Sequence, residues 1–594
     1  MLKTKLCVRA ANKARHVLEL KAYSRMLQCG YATSGKTHET DYVIVGAGSA
    51  GSVLANRLSE DGSNKVLVLE AGAPDPWWDW RIHMPAALMY NLAYRRYNWY
   101  YNTIPQQHVD NRIMYWPRGK VWGGSSVLNA MIYIRGNASD FDRWEAEGAQ
   151  GWSYAECLPY FKKAQCHELG ETDYRGASGN LHVSRGKSGN PLHEVFLQAA
   201  QEAGYPLTDD VNGYQQEGVG RFEMTIHKGK RWSTSQAYLR PALSRNNLNI
   251  ESRAHTTRIL MNGKNAIGVE FEQNGSLHTV HAAKEVILCG GAINSPQLLL
   301  LSGIGPADHL KSLDIEPVVN LPGVGENLQD HLELQVQHRC KEPVTLYKAQ
   351  WKFPHIMIGI GLKWFLTQKG WGAGCHMDTG GFIRSSADQK EPDIQWHFLP
   401  SALYDHGRKP ADCHAYQLHA GTQQASSRGT IKLKSRNPRD YPLADPNYLS
   451  HPQDLIDLRQ CIKLSREVLE QPSFMKYSDG ELQPGVDCDT DEKLDRFIRK
   501  MVDTAYHPSC TCKMGSDSMA VTDSQGRVHE TSGLRVVDAS IMPSITNGNL
   551  NAPTIMMAEK CADMIRGLPP LPKSTAPAWK PQFPDRQREN NSSL

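Results

Sequence analysis

The sequence predicts an α/β fold: a doubly wound domain that is discontinuous in the chain, with an inserted α+β domain containing an antiparallel sheet. Three observations predict it. The first is Asp41-Tyr-Val-Ile-Val-Gly46-Ala-Gly48-Ser49-Ala50-Gly51 followed, one helix length later, by Lys65-Val-Leu-Val-Leu-Glu70. The second is another strand, glycine turn and apolar helix, at 284–289, Gly290-Gly291 and 292–301. The third comes late: a strand at 534–538 ends in Asp538, and Ala539 leads toward a helix of small and apolar residues from 547 to 557. Strands that serve one ligand are thus far apart in the chain.

In chain order, residues 1–38 come first. Lys3, Lys5, Arg9, Lys13, Arg15, Lys21, Arg25 and Lys36 are basic and Glu19 alone is acidic there. This basic, acid-poor, amphipathic pattern is that of a mitochondrial transit peptide. The first strand follows. Gly46 permits the tight turn, Gly48 lets backbone approach a pyrophosphate, and Gly51 lets the next helix pack on the sheet. Phosphate would sit on the open N–H groups of Ser49 and Ala50 at that helix's N-terminus. Glu70, at the end of the second strand, can accept hydrogen bonds from both hydroxyls of an adenosine ribose. This much predicts an adenine dinucleotide, NAD or FAD.

The expected order of segments is nucleotide domain at 39–155, 226–334 and 501–567, and substrate-binding domain at 156–225 and 335–500. Ser427-Arg-Gly-Thr-Ile-Lys-Leu-Lys434 alternates as a half-buried strand should. His355-Ile-Met-Ile-Gly-Ile-Gly-Leu-Lys363 is too short to span a bilayer and reads as a core helix, with an interfacial contact left open. The Pro-rich stretch 568–594 reads as disordered or loosely packed.

Composition excludes several classes. With 40% hydrophobic and 22% charged residues among 594, the chain is globular and large enough for two or more domains. A net charge of +4 with no basic stripe argues against a nucleic-acid partner. The thirteen cysteines follow no framework spacing, which suits a reducing compartment. Cys510-Thr-Cys512 lacks a companion pair, so no metal site is expected.

Two longer motifs sharpen the reading: Pro117-Arg-Gly119-Lys-Val121-Trp-Gly123-Gly124-Ser125-Ser-Val-Leu128-Asn129, and Gly291-Ala-Ile-Asn-Ser295-Pro-Gln-Leu-Leu-Leu-Leu-Ser302-Gly303-Ile-Gly305. They resemble the two signatures of the glucose-methanol-choline oxidoreductase family, and the likeness runs from about 41 to 567. The resemblance implies FAD, wrapped by 119–129 with Val121, Gly123, Gly124, Ser125 and Asn129 in contact, and by Asp538 and Ala539. Related oxidases tether FAD through a His just before the Asn of this loop. Leu128 stands there, and a hydrocarbon cannot form that bond, so non-covalent FAD is expected.

Oxidising an alcohol requires a group to take the hydroxyl proton, and an imidazole is suited to it. Among 23 histidines composition cannot choose. The segment Tyr506-His507-Pro508 resembles the family's catalytic one, which implies His507 as general base or as stabiliser of the alkoxide. Asn551 is expected to orient the alcohol oxygen. The resemblance further implies choline as substrate, oxidised to its aldehyde, with a respiratory quinone as electron acceptor and peripheral contact on the matrix side of the mitochondrial inner membrane. A permanent cation needs a carboxylate or aromatic faces. Glu333 matches the position where a related oxidase holds the trimethylammonium group. Trp77, Trp78, Trp80, Trp99 and Trp364 are cage candidates that spacing cannot rank. Two alternatives stay beside this reading: another primary alcohol as substrate, or a flavoprotein that mainly binds partners.

Overall fold

The computed structural model describes residues 38–187, 189–581 and 586–588. A seven-stranded sheet forms its nucleotide-binding half. Leu248–Ser252, Val66–Glu70, His38–Val45, Ser276–Leu288 and Leu534–Val536 run parallel in that order. Asn265–Gln273 and His255–Asn262 extend the long strand Ser276–Leu288 as an antiparallel meander. The inner strands carry apolar runs, with Val43, Ile44, Val68, Ile287 and Leu288 fully buried, as a sheet covered on both faces requires. The late strand Leu534–Val536 therefore joins a sheet that begins at His38, as the three nucleotide elements predict.

The helices Ser49–Leu58 and Asn551–Ile565 pack on each other against this sheet. The helix Gly291–Leu301 follows the second glycine turn. Gly51 has its predicted use: a Cβ there would lie 1.9 Å from the carbonyl oxygen of Gly46.

The second half is built on an antiparallel sheet ordered Thr379–Ile383, Ile394–Leu399, Ala415–Thr422, Leu332–Cys340 and Ser478–Gln483, with Asp503–Thr504 added beside Leu332 and Glu333. The helix Pro452–Leu469 covers one face, seating Trp396 Nε1 on Ser465 Oγ at 3.1 Å. Two strands of this sheet depart from the expected segmentation. Leu332–Cys340 straddles the boundary placed at 334/335, and Asp503–Thr504 belongs to the antiparallel sheet although it falls in 501–567. The predicted strand at 427–434 is confined to Thr430–Lys432.

Two further expectations are corrected. The segment read as a core helix is the helix Pro354–Thr367, but only Trp364 is buried on it. Its apolar residues outnumber what one packing face can cover, and the remainder face outward. The C-terminal stretch has no helix or strand among its described residues, yet these are tied down. Ser574 N donates to Ala155 O at 2.7 Å, Tyr174 hydroxyl to Pro577 O at 2.8 Å, and Arg588 pairs with Glu467. Residues 1–37, the body of the expected transit peptide, lie outside the described residues. No described helix is long and apolar enough to cross a membrane.

Candidate active site

A continuous cavity of about 590 Å³ runs from the end of the parallel sheet to the face of the antiparallel one. At its first end stand Gly46, Gly48, Ser49, Ala50 and Glu70. Gly46 takes φ +105°, and a Cβ would lie 2.6 Å from Cys289 O, so only glycine turns the chain there. Gly48 has nothing nearer than 3.9 Å to its Cβ position and faces the cavity, leaving bare backbone for a ligand. Glu70 accepts from Ala47 N at 2.8 Å and Gly72 N at 2.7 Å. Burial pushes its pKa up to about 7, against the pull of those two N–H groups and Lys120.

Three helix N-termini converge on the cavity: Ser49, Gly291 and Asn551 each begin a helix and line it. None of the three has a side-chain cap. The positive dipole ends of the helices that start at Ser49 and Asn551 make an anion cradle suited to a pyrophosphate, while the N–H of Gly291 is taken by Asp538. Gly124, Ser125, Leu128 and Asn129 form the adjoining wall, and Asp538 and Ala539 close it. Gly124 sits so near the first loop that a Cβ would be 2.7 Å from Gly48 Cα. Asp538 accepts from Gly291 N at 2.8 Å and Ser295 Oγ at 2.6 Å.

Two residues of this loop expected to touch the cofactor do not line the cavity. Val121 is buried with Ile82, Tyr97 and Val127, and Gly123 donates its N–H to Ala47 O at 2.7 Å. They fix the loop and leave contact to their neighbours.

His507 lies at the other end, beside Glu333, His397, His406, His419 and Asp503. Its Nδ1 is 3.0 Å from His331 Nδ1, and its Nε2 is 3.3 Å from Asn549 Nδ2. Burial, then the neighbouring His331, Arg118 and His397, hold its pKa well below the ordinary histidine value. His331 is lowered by burial to about 4. Both rings are therefore neutral at pH 7, and their partners fix the tautomers. His331 Nε2 faces the carbonyl of Gln423 at 3.1 Å, so it carries the proton. His331 Nδ1 is then an acceptor, and His507 Nδ1 must donate to it. That leaves the His507 Nε2 lone pair as the acceptor, engaged at 3.3 Å by the amide N–H of Asn549 at the cavity wall.

The backbone of His507 is held as firmly. Asp330 accepts from His507 N at 2.7 Å, His331 N at 2.9 Å and Thr504 Oγ1 at 2.6 Å, and from the Tyr448 hydroxyl. Tyr506 takes a positive φ in the left-handed region, a strained turn next to His507.

The structure does not bring Asn551 to His507. Its Oδ1 accepts from Ser49 Oγ at 2.7 Å, at the junction of two helix N-termini, while Asn549 meets the His507 ring; both amides line the cavity. Asn549 precedes the helix that begins at Asn551, and the two side chains take different partners. Sequence reasoning also missed Asp503, which the register places directly opposite Glu333 on the neighbouring strand. Like charges across a strand pair destabilise it, and nothing local in the sequence marks that pairing.

Glu333 Oε1 is 3.0 Å from His419 Nδ1. Burial pushes Glu333 up, but the charge and hydrogen bond of His419, with His397, outweigh it and hold the carboxyl below its ordinary range. Burial pushes Asp503 up to about 7, and Glu333 adds to the rise. Of the five tryptophans named above only Trp99 lines the cavity. It lies under Lys120 Nζ, 4.2 Å from its ring centre, and 5.9 Å from His255, far along the chain of contacts from His507. Among the described residues no group of three or more His, Cys, Asp or Glu is arranged to hold a metal.

A dinucleotide cradle that opens onto a neutral histidine, itself held by the carbonyl-anchored His331, suits a flavin-dependent oxidoreductase. The chain belongs to the GMC oxidoreductase family: the models of the family's N- and C-terminal parts, each described as GMC oxidoreductase, match residues 40–333 and 425–558. It is 57% identical to mitochondrial choline dehydrogenase of Mus musculus, covering 94% of each chain. It is 52% identical to an oxygen-dependent choline dehydrogenase of Burkholderia cenocepacia, over 91% of this chain and 96% of the relative. Pyridoxine 4-oxidase from Mesorbium loti superposes with a TM-score of 0.80 at 32% identity, over 89% of this chain and 99% of that one. Formate oxidase of Aspergillus oryzae gives 0.84 at 25%, over 90% and 99%. The cofactor of this protein is FAD.

Proposed function

We propose that this protein oxidises choline to betaine aldehyde, and that two facing carboxylates, Glu333 and Asp503, recognise the quaternary ammonium. The cross-strand pairing of these acids on the cavity wall carries the reading. An alcohol without a cation gains nothing from them.

His507 Nε2 removes the hydroxyl proton, and Asn549 donates to the alcohol oxygen or to the ring and keeps the two aligned. His331 holds the proton on His507 Nδ1. Bound FAD would supply the acceptor for the hydride that leaves the carbinol carbon. Gly46, Gly48, Ser49, Ala50, Glu70, Gly124, Ser125, Asn129, Asp538 and Ala539 hold it, and Asn551 bears on the pyrophosphate end through Ser49. With Leu128 buried where a tether would attach, FAD is dissociable. Acid precipitation releases the flavin into the supernatant; flavin remaining on the polypeptide would overturn this.

The electrons pass to a respiratory quinone, and the enzyme works on the matrix side of the mitochondrial inner membrane. The basic presequence and the mitochondrial relative support that compartment. Dioxygen is the competing acceptor, favoured by the name of the Burkholderia relative. Anaerobic mixing with choline and then a soluble quinone decides: the flavin bleaches, then recovers colour without oxygen. Glu333→Gln raises the KM for choline about tenfold, the size of one lost ~1.4 kcal/mol charge contact, and spares kcat. Unchanged KM removes Glu333 from recognition.

A further inference from the structure

The helix Pro354–Thr367 turns an apolar face outward. Ile358, Leu362, Phe365 and Leu366 are 55%, 57%, 54% and 81% exposed. Their spacing of four, three and one places them on one face, the face that an ordinary surface helix makes polar. Trp351 before the helix and Trp371 after it are exposed as well. On its inner side Trp364 packs with Met84, Ala87, Trp80 and Tyr90 and donates to Gly229 O at 2.8 Å. The helix is firmly seated, while no described residue covers its outer face.

The charge around this face is one-sided. From 343 to 377 the chain carries Lys348, Lys352, Lys363 and Lys369 and no carboxylate. Lys352 pairs with Asp412 across from it. The hairpin Ile226–His227 and Lys230–Arg231, whose Gly229 meets the end of the helix, adds the exposed Lys228 and Lys230. An apolar face between tryptophans, bordered by lysines, matches an anionic bilayer surface: aromatic rings at the headgroup level, aliphatic side chains in the acyl boundary, lysines on the phosphates.

We infer that the helix Pro354–Thr367 is a monotopic docking face for an anionic lipid bilayer. Docking by this face also positions the cavity. Leu88, Met89 and Leu92, on the short helix Leu88–Ala93, line it, and Tyr90 of the same helix receives a hydrogen bond from Trp351 Nε1. One wall thus separates docking face and cavity, and docking brings the cavity's substrate end against the bilayer, where an apolar electron acceptor is dissolved. That consequence rests on the quinone reading above; the docking itself does not.

The test is flotation of the purified holoenzyme with vesicles of phosphatidylcholine and phosphatidylglycerol, against vesicles of phosphatidylcholine alone. The wild type floats with the mixed vesicles, and high salt weakens it. Ile358→Ser/Leu362→Ser/Phe365→Ser/Leu366→Ser abolishes flotation. Lys363→Glu/Lys369→Glu lowers it more than about tenfold, at about fivefold per lysine. Both variants keep wild-type bleaching by choline and turnover with a soluble quinone, which checks the catalytic reading separately. Flotation of the fourfold variant like the wild type overturns the proposal. So does a wild type that stays with the soluble fraction while light scattering shows the same four residues joining two copies of the chain.

Discussion

His507 is neutral because it is buried among groups that repel a proton, and that sets the pH behaviour of the site. As the proposed base it needs no deprotonation at pH 7, so kcat at saturating choline should stay flat well below the ordinary histidine pKa. Affinity behaves otherwise. Asp503 ionises near 7, a cation binds its ionised form, and affinity is full above that pH and falls as pH drops through it. We expect kcat/KM to decline below about pH 7 while kcat does not, and Asp503→Asn to remove the decline. A kcat that tracks kcat/KM in pH would contradict this division. His507→Ala should keep flavin and lose about 10²–10⁴-fold in turnover. His331→Phe frees His507 to move its proton to Nε2; kcat should fall about tenfold to a hundredfold with KM and flavin content kept, and His331→Asn, whose Oδ1 can accept from Nδ1, should recover part of it. The two amides separate in the same way: Asn549→Ala costs turnover, whereas Asn551→Ala costs flavin retention, read as absorbance after gel filtration.

At the scale of elements, the cofactor loops are fitted to each other as closely as to a ligand. Gly124→Ala would bring a Cβ within 2.7 Å of Gly48 Cα, and Gly124 also takes φ +53°. The loops at 46–51 and 119–129 would have to separate, and the protein should be isolated with markedly less FAD at unchanged helix content by circular dichroism. Full flavin occupancy would show that the loops tolerate the spread. The helix Pro354–Thr367 illustrates why an apolar run misleads when read alone: hydropathy predicts that something covers it, and the described residues bury only Trp364.

At the scale of the molecule, the cavity lies between two sheets, and the chain crosses between them several times. A ligand held by Gly46, Glu70, Gly124, Gly291 and Asp538 ties together segments from near the two ends of the chain. Binding to the folded state alone stabilises it, by about 2.7 kcal/mol at a free concentration about one hundred times Kd. Removing FAD should therefore lower Tm by a few degrees, and adding it back should restore Tm in proportion to the logarithm of its concentration; an apoprotein melting with the holoprotein would separate the cofactor from the stability of the fold.

What the sequence determined by itself is the chemistry that depends on local runs. Strand, glycine turn and helix form from contiguous residues, so Gly46 to Glu70 and the 117–129 loop were legible, and with them the cofactor class; His507, the proposed base, was reached through the likeness of its segment to the family's. Relations between distant side chains were decided only by the tertiary structure. Asn549 and Asn551 are chemically the same and two positions apart; which one meets His507 depends on where a helix starts. Asp503 faces Glu333 through a strand register set by the whole antiparallel sheet, and His331 acquires its tautomer from the distant carbonyl of Gln423. The outward face of the helix at 354–367 likewise follows from what packs beside it. Hydrophobic periodicity reports that a face is apolar, while its partner is chosen by the rest of the fold.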